Sequence, residues 1–522
     1  MRIFLFSLLI LLTTTLAHAQ KIILLHTNDH HGAFMSSAEG DFGLAAQATL
    51  VNEIREEAKR TGATVILLSA GDINTGPPES NLFQARPDFE AMSRIGYDAM
   101  ALGNHEFDRP FTVLQEQQKI SSFKFLASNI VDESGKTVFT PYIIKQVGDK
   151  RVAIIGYTTP DTPKITPSAN TKGLSFQDPS DATAELVKKL KRENDMVIGL
   201  SHLGYFANES HGTNAPGDET LARRVPEIDV IVGGHTHTEI PEPVKIGNTL
   251  IVQAKESGHF VGRMDIDLSS GKPVVEDYRL IPVKGFKEDK AIKALLQPYL
   301  DEGSKQFSRV VGSVSEGFGG ERADIVKAER PVGNLVAEAQ RLAAGADITL
   351  ARGKSMRTGL PEGDVRLRDL LKLNPLGHVI VTADLNGAEV WRFAEAARKN
   401  MLVTGNRPYF SQGFKIELEG DGIKSIALNG VEIPNAPTGS YKVSVTDAIV
   451  DMIDDFKFIG EHPTFKNTGV EDVEALEKYL KAKGPLLASK LSHSTFGPVS
   501  SGLSPQGRCV QRSLRSLLHQ TH

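Results

Sequence analysis

The chain reads as an α/β protein built on a mostly parallel sheet, and three features of the sequence carry that reading. Short aliphatic runs alternate with helix-like stretches. The runs are apolar throughout rather than at every second position. Five of them end in clusters of Asp, Asn and His. A strand covered on both faces loses the apolar–polar alternation of a half-exposed one. Alternating strand and helix implies crossover connections and a parallel sheet. In such sheets ligands gather outside the carboxyl ends of the strands.

In chain order, Lys21 to Asn28 leads into Asp29-His30-His31-Gly32, and Leu44 to Lys59 follows as a helix. Val65 to Gly71 leads into Asp72. Phe89 to Ile95 is helix-like, and Ala99-Met100-Ala101-Leu102 runs into Gly103-Asn104-His105-Glu106-Phe107-Asp108. After a helix-like stretch from Asp181 to Lys191, Met196 to Ser201 meets His202, and Ile228 to Gly234 meets His235-Thr236-His237. Polar groups closing a core strand cost free energy unless something pairs with them, and a metal ion pairs with several at once. Taken singly, each cluster has an ordinary explanation. A His after a strand is commonly a surface or core residue, and Gly103 to Asp108 could be a capping turn before Arg109-Pro110. Five such endings in one order, each behind a buried run, ask for a common cause at one rim.

The ligand types are Asp, Asn and His with no thiolate, which suits Zn, Mn, Fe or Co. The candidates number about seven, more than the roughly four of a single tetrahedral site, so two divalent ions fit better than one. Asp72, a lone carboxylate set by Gly71 at a tight strand end, is the expected bridge between them. A pair of ions clamps the attacking and leaving oxygens of a phosphate ester and lowers the pKa of a bound water.

The order D-x-H, GD, GNHEFD, SH and GHTH resembles the calcineurin-like metallophosphoesterases. More closely, it resembles the bacterial periplasmic 5′-nucleotidase and UDP-sugar hydrolase family, on His26 to Gly32 and Gly103 to Asp108, across roughly residues 20 to 490. The resemblance implies a four-layer αββα sandwich followed by a second α/β domain joined through a helix. It implies that Asp29, His31, Asp72 and His237 hold one metal and Asp72, Asn104, His202 and His235 the other. His105 and Asp108 correspond to the family's catalytic pair, the His stabilising the phosphoryl transition state or protonating the leaving oxygen and the Asp orienting the His. The implied reaction is in-line attack on phosphorus by a water that the ions activate. The position of His237 is Gln in some relatives. His30 receives no role, and His211, His259, His378 and His462 lack the strand-end context and read as ordinary.

The formal net charge of −5 over 522 residues, with no basic run, argues against a nucleic-acid polymer as partner. The expected partner is a small-molecule phosphate ester, with a nucleotide the first choice; nothing in the sequence speaks to oligomeric state. Arg2, the apolar Ile3 to Leu12 and Ala17-His18-Ala19 form a secretory signal over residues 1–19, whose removal takes the formal charge from −5 to −6. The apolar stretch is too short for a stable span, and no other stretch is long and apolar enough. Cys509 is the single cysteine, so no internal disulfide is expected, and a periplasmic or secreted location fits.

The second half changes texture. Asp289 to Phe307 reads as an amphipathic helix with Ile292, Leu295, Leu296, Tyr299 and Leu300 on one side, and Arg322 to Ala344 as another, bent at Pro331. Strands are expected over Asp347–Leu350, His378–Ala383, Gly413–Leu418 and Tyr441–Thr446, with a helix over Gly387–Lys399. The implied division is a catalytic domain over 20–305, a substrate-binding domain over 306–494 and a disordered tail over 495–522. In the family the second domain holds the nucleoside with an Arg after a glycine-rich turn, two aromatic clamps and a Gly-Gly-Asp-Gly loop. Here Arg357 fits the Arg, Phe410 the first clamp and Asp454 the Asp of the loop. The second clamp falls at Ala448, and the loop reads Met452-Ile453-Asp454-Asp455. Stacking on both faces is worth ~1–3 kcal/mol per base, so one lost clamp weakens binding by about tenfold or more. The altered pocket keeps open a non-nucleotide, cyclic-nucleotide, UDP-sugar or sulfur ester substrate. A metal or nucleotide scavenger with little turnover is a further alternative, against which the intact His105 and Asp108 argue. Trp391 and Phe393 read as core.

Overall fold

The computed structural model describes residues 20–36, 42–206, 215–420, 422–492 and 495. The expected leader, His211, Cys509 and all but Thr495 of the expected tail lie outside the described residues. Thr495 is buried, and its carbonyl accepts from the Ile416 amide at 2.8 Å.

Strand–helix alternation does not by itself count sheets, and the five runs divide between two. One six-stranded sheet runs in the order Val274–Pro282, Phe260–Asp267, Lys21–Thr27, Thr64–Ser69, Ala99–Ala101, Lys124–Leu126. The other runs Val244–Ile246, Thr249–Val252, Val230–Val232, Met196–His202, Lys150–Thr158, Tyr142–Val147. The central strands of each pair in parallel; antiparallel strands close both edges of the second sheet and the Val274–Pro282 side of the first, whose other edge, Lys124–Leu126, stays parallel.

Side-chain alternation then builds the layers. Ile22 and Leu24 point to one face of their strand, where they meet Ile66, Leu68, Ile154, Ile198, Leu200 and Val232 in a core shared by both sheets. Ile23 and Leu25 point to the other face, under the helices Leu44–Thr61 and Arg86–Ile95. Tyr157, Val197 and Ile231 face outward from the second sheet, toward Pro179–Glu193 and Asp218–Arg224. The result is helix, sheet, sheet, helix, which is why the central strands are apolar on both sides. Among the described residues, no helix is long and apolar enough to cross a membrane.

The helix Lys290–Phe307 starts where the Asp289 carboxylate accepts from the Ala291 and Ile292 amides. Its apolar side, Ile292, Leu295, Leu296, Tyr299 and Leu300, packs on the same core as Leu44–Thr61. The expected single helix from Arg322 to Ala344 is instead two, Arg322–Lys327 and Pro331–Ala344. Proline cannot donate to an earlier carbonyl and forces the residue before it out of helical geometry, so Arg330 is extended and Pro331 opens a new helix at its first position.

Beyond it lies a five-stranded sheet, Pro408–Phe410, Ile348–Arg352, Tyr441–Thr446, Val379–Leu385, Lys466–Glu471. The helix Gly387–Thr404 opens with a capping box between Asn386 and Glu389. This second half meets the first at defined points. Arg368 pairs with the buried Glu79, and the Asn81 side chain donates to the Pro375 carbonyl at 3.3 Å.

Candidate metal centre and catalytic pair

The strand ends deliver their polar residues through unusual backbone. Asp29, His31, Asp72, His235 and His237 have φ of 49°, 48°, 54°, 73° and 55°. Such left-handed geometry is uncommon for residues with a Cβ and clusters at functional sites. Cross-strand bonds hold it: the Asp29 amide donates to the Gly71 carbonyl at 2.9 Å and the His31 amide to the Asp72 carbonyl at 2.9 Å. Gly71 itself sits at φ 91°, where a Cβ would fall 2.7 Å from the Gly103 nitrogen.

These residues converge. Asp29, His31 and His237 present ligand atoms within 4.8 Å of one another, and so do Asp72, His202 and His235. The His202 Nε2 is 3.0 Å from Asp72 and 3.9 Å from Asp29, so the two groups adjoin across the two sheets. The His237 Nε2 lies 3.3 Å from Asp29 and 3.1 Å from the His31 Nε2. Asn104 is buried at the same rim, and its Oδ1 has no hydrogen-bond partner.

The donor set fits cations. His31 turns its Nδ1 to the Asn74 and Thr75 carbonyls, at 3.3 and 3.1 Å, and His202 turns its Nδ1 to the Ala70 carbonyl at 2.7 Å. A carbonyl can only accept, so each Nδ1 carries a proton and each Nε2 is the nitrogen left to face the rim. Burial would lower His202, but Asp72 and Asp29 raise it to about 10, so its Nε2 holds a proton against Asp72 that a cation would displace. These nitrogens face the Asp72 and Asp29 carboxylates and another imidazole, a donor set that a divalent cation would complete. The 3.1 Å separation of the His31 and His237 nitrogens is close to the roughly 3.3 Å edge of a tetrahedron with ~2.0–2.1 Å bonds. Burial lowers His31 to about 3, with His105 and His237 adding to the shift. Burial alone would raise Asp29, but His237 and His202 hold it at about 2.

His105 and Asp108 share the rim. The His105 Nδ1 is 2.5 Å from Asp108 Oδ2, which leaves Nε2 directed elsewhere, 4.0 Å from Asp72. Burial would lower the imidazole, but Asp108 and Asp72 together raise it to about 9. From the second half of the chain, Arg357 stands in the electrostatic field of Asp108 and Asp72; burial, then the neighbouring Arg322, lowers it to about 9. Arg352 and Lys354 stand on the same turn. Burial, with Arg352, Arg322 and Arg357, depresses Lys354 to about 7. His378, read as ordinary, is within reach of Asp108, Arg352 and Arg357.

Two sequence expectations about the substrate pocket are corrected. Phe410 is 0% exposed and packs against Phe393 and Phe414 at centroid distances of 5.9 and 4.9 Å, so it belongs to the apolar core and offers no face for stacking. Its strand pairs with Ile348–Arg352, and Phe410 opposite Leu350 points under the sheet. The Asp454 side chain is 91% exposed and paired with Lys457 at 2.7 Å; its surroundings are those of a surface residue.

Sequence reasoning passed over Glu106, although it stands inside the GNHEFD segment. Its buried carboxylate accepts from the amides of Gly103, Asp72, Ile73 and Asn74 at 2.7, 3.0, 2.8 and 3.3 Å, tying the two loops that carry Asp72 and Asn104. A carboxylate in a motif rich in carboxylates carries no sign of this role. Asn28 holds Asp29 Oδ2 at 2.6 Å and accepts from the Ala254 amide at 2.8 Å. His30 points away from the centre, to Asp88 at 3.1 Å, whose other oxygen accepts from Ser80 at 2.6 Å.

The family model for calcineurin-like phosphoesterases matches residues 22–239, and that for the 5′-nucleotidase C-terminal domain matches residues 310–461. A protein of Vibrio cholerae named 5′-nucleotidase is 35% identical over 506 residues, covering 89% of this chain and 91% of its own. Protein UshA of Escherichia coli is 34% identical over 518 residues, covering 91% and 94%. Among solved structures, the 5′-nucleotidase precursor of Thermus thermophilus superposes with a TM-score of 0.73 at 27% identity, covering 94% of this chain and 98% of that one.

Glu106→Gln should lower bound metal and turnover about 10–100-fold, because the amide turns a donor toward amides that need an acceptor; elemental analysis and kcat measure the two. Phe410→Leu should lower the unfolding midpoint while leaving KM unchanged; a raised KM at unaltered stability would return Phe410 to the pocket.

Proposed function

The chain belongs to the 5′-nucleotidase family of calcineurin-like phosphoesterases and is a metal-dependent phosphoric ester hydrolase; from that premise we propose that it hydrolyses nucleoside 5′-monophosphates or related nucleotides to nucleoside and phosphate. The observation that carries this reading is the meeting of two groups of candidate metal ligands with the His105–Asp108 pair at one rim, in the electrostatic field of Arg357. Asp29, His31, Asp72 and His237 would hold one divalent ion, and Asp72, Asn104, His202 and His235 the other. Bound there, such ions supply neutralisation of phosphate oxygens and a water of lowered pKa. The chain's own residues do the rest. Arg357 draws the phosphoryl group toward the rim by charge. Asp108 fixes the ring of His105, and the His105 Nε2 gives its proton to the ester oxygen as the bond from phosphorus to that oxygen breaks. Orientation and fixed charge supply most of the acceleration in such reactions.

In this reading, residues 20–305 perform the chemistry and residues 306–494 receive the leaving group. The protein is exported by residues 1–19 and acts in the periplasm or outside the cell. A second reading keeps the same centre but gives it a non-nucleotide ester. It is favoured by one observation: the expected base clamp, Phe410, is inside the core, and the second clamp position is Ala448.

Turnover of AMP, UDP-glucose, cyclic nucleotides and sugar phosphates, with and without a chelator, tests both readings. Loss of all turnover with chelator and its return on adding divalent metal is expected, with AMP turned over fastest. A sugar phosphate exceeding AMP would favour the second reading. His105→Ala should lower kcat about 10²–10⁴-fold with metal content unchanged; unaltered kcat would remove the role of His105.

A further inference from the structure

One residue at the rim belongs neither to the candidate metal ligands nor to the catalytic pair, yet touches both, the first with its carbonyl and the second with its side chain. Thr75 follows the Asp72 loop. Its hydroxyl donates to Asp108 Oδ2 at 2.6 Å, the same oxygen that faces the His105 Nδ1 at 2.5 Å. Its carbonyl lies 3.1 Å from the His31 Nδ1. The rings of His31 and His105 stand edge to face with centroids 5.0 Å apart, so Thr75 reaches the outer nitrogen of each, once directly and once through Asp108.

The chain spends conformational energy to hold it there. Thr75 has a φ of 65°, in the left-handed region that is a genuine outlier for a β-branched residue. The turn is locked on either side. Glu106 Oε1 accepts from the Ile73 and Asn74 amides, and the Gly32 amide donates to the Ile73 carbonyl at 2.8 Å. At the next residue, a Cβ on Gly76 would fall 1.7 Å from the His31 carbonyl oxygen, so only glycine lets the turn lie against the His31 loop. Packing alone gives no reason to place a strained, half-buried threonine with its hydroxyl on a carboxylate that already has a partner.

We propose that Thr75 is a positioning residue of the reaction: its hydroxyl fixes the Asp108 carboxylate, and through it the ring of His105, while its carbonyl fixes the imidazole of His31. This rests on the reading of His105 as the group that protonates the leaving oxygen. The two halves separate cleanly. The carbonyl survives any side-chain substitution, so the hold on His31 remains when the hydroxyl is removed. What is lost is the second donor on Asp108, which lets the carboxylate rotate and the His105 Nε2 wander from the ester oxygen.

The experiment compares Thr75→Val, which keeps shape and branching but has no hydroxyl, with Thr75→Ser, which keeps the hydroxyl, and with His105→Ala as reference. Each is assayed on AMP, whose alkoxide needs a proton, and on 4-nitrophenyl phosphate, whose phenolate leaves without one; metal content is measured throughout. Thr75→Val is expected to lose about 10–100-fold in kcat on AMP, as outer residues that orient a site commonly do. It should lose much less on the aryl phosphate and retain its metal. Thr75→Ser should recover most of the AMP activity. Equal losses on both substrates, equal losses in Val and Ser, loss of metal from the Val variant, or no loss on AMP while His105→Ala is impaired would each overturn the proposal. An unimpaired His105→Ala would instead overturn the reading beneath it, and the proposal with it.

Discussion

Two carboxylates, Asp29 and Asp72, are buried within reach of a single imidazole, His202, and the arrangement around them answers that one electrostatic problem. Buried like charges this close repel strongly and are tolerated only with compensating positive charge. His202 answers part of it, raised against its burial to about 10 by the two carboxylates, while the His31 Nε2 and the Asn104 Oδ1 offer lone pairs. A basin of acceptors with buried negative charge is a cradle for cations, and the stability of the rim is therefore tied to what fills it.

The fold accommodates this by putting the strain at the strand ends and the stability in the layers. The sheets share an apolar core rich in Ile, Leu and Val between them, and each is backed by helices. Against that rigid frame the loops can hold five ligand residues in left-handed geometry, a local cost of order 1–3 kcal/mol per residue that only an over-determined surrounding can sustain. Glu106 is part of that surrounding. It gathers four amides from two loops and so converts two flexible turns into one body.

Much of this was legible in the sequence, for a physical reason. Double-sided burial leaves unbroken aliphatic runs such as Val65 to Leu68, and a polar cluster at the end of such a run has few explanations. The number of sheets was not legible from the runs, because a strand in the middle of either sheet is equally apolar. Pro331 signalled an interruption but not that the helix would restart, since the extended stretch before it depends on tertiary packing. Phe410 shows the other limit: an aromatic residue near a turn reads the same whether its ring faces a cleft or, as here, Phe393 and Phe414. Glu106 and Thr75 act through backbone groups and through Asp108, and no residue pattern records a hydrogen bond to a main chain.

The ion pair between Glu79 and Arg368 has a bearing on how the two halves of the molecule can move. Glu79 is 1% exposed, and its second carboxylate oxygen has no partner. A Cβ on Gly303, near the end of the connecting helix, would fall 2.5 Å from the Glu79 side chain, so there is no slack on that side. Withdrawing Arg368 would leave the buried Glu79 carboxylate without its charged partner, so the pair fastens the second half of the chain to the first. Together with the Asn81–Pro375 hydrogen bond, the pair joins the segment that follows the Asp72 turn directly to the half of the chain that carries Arg357.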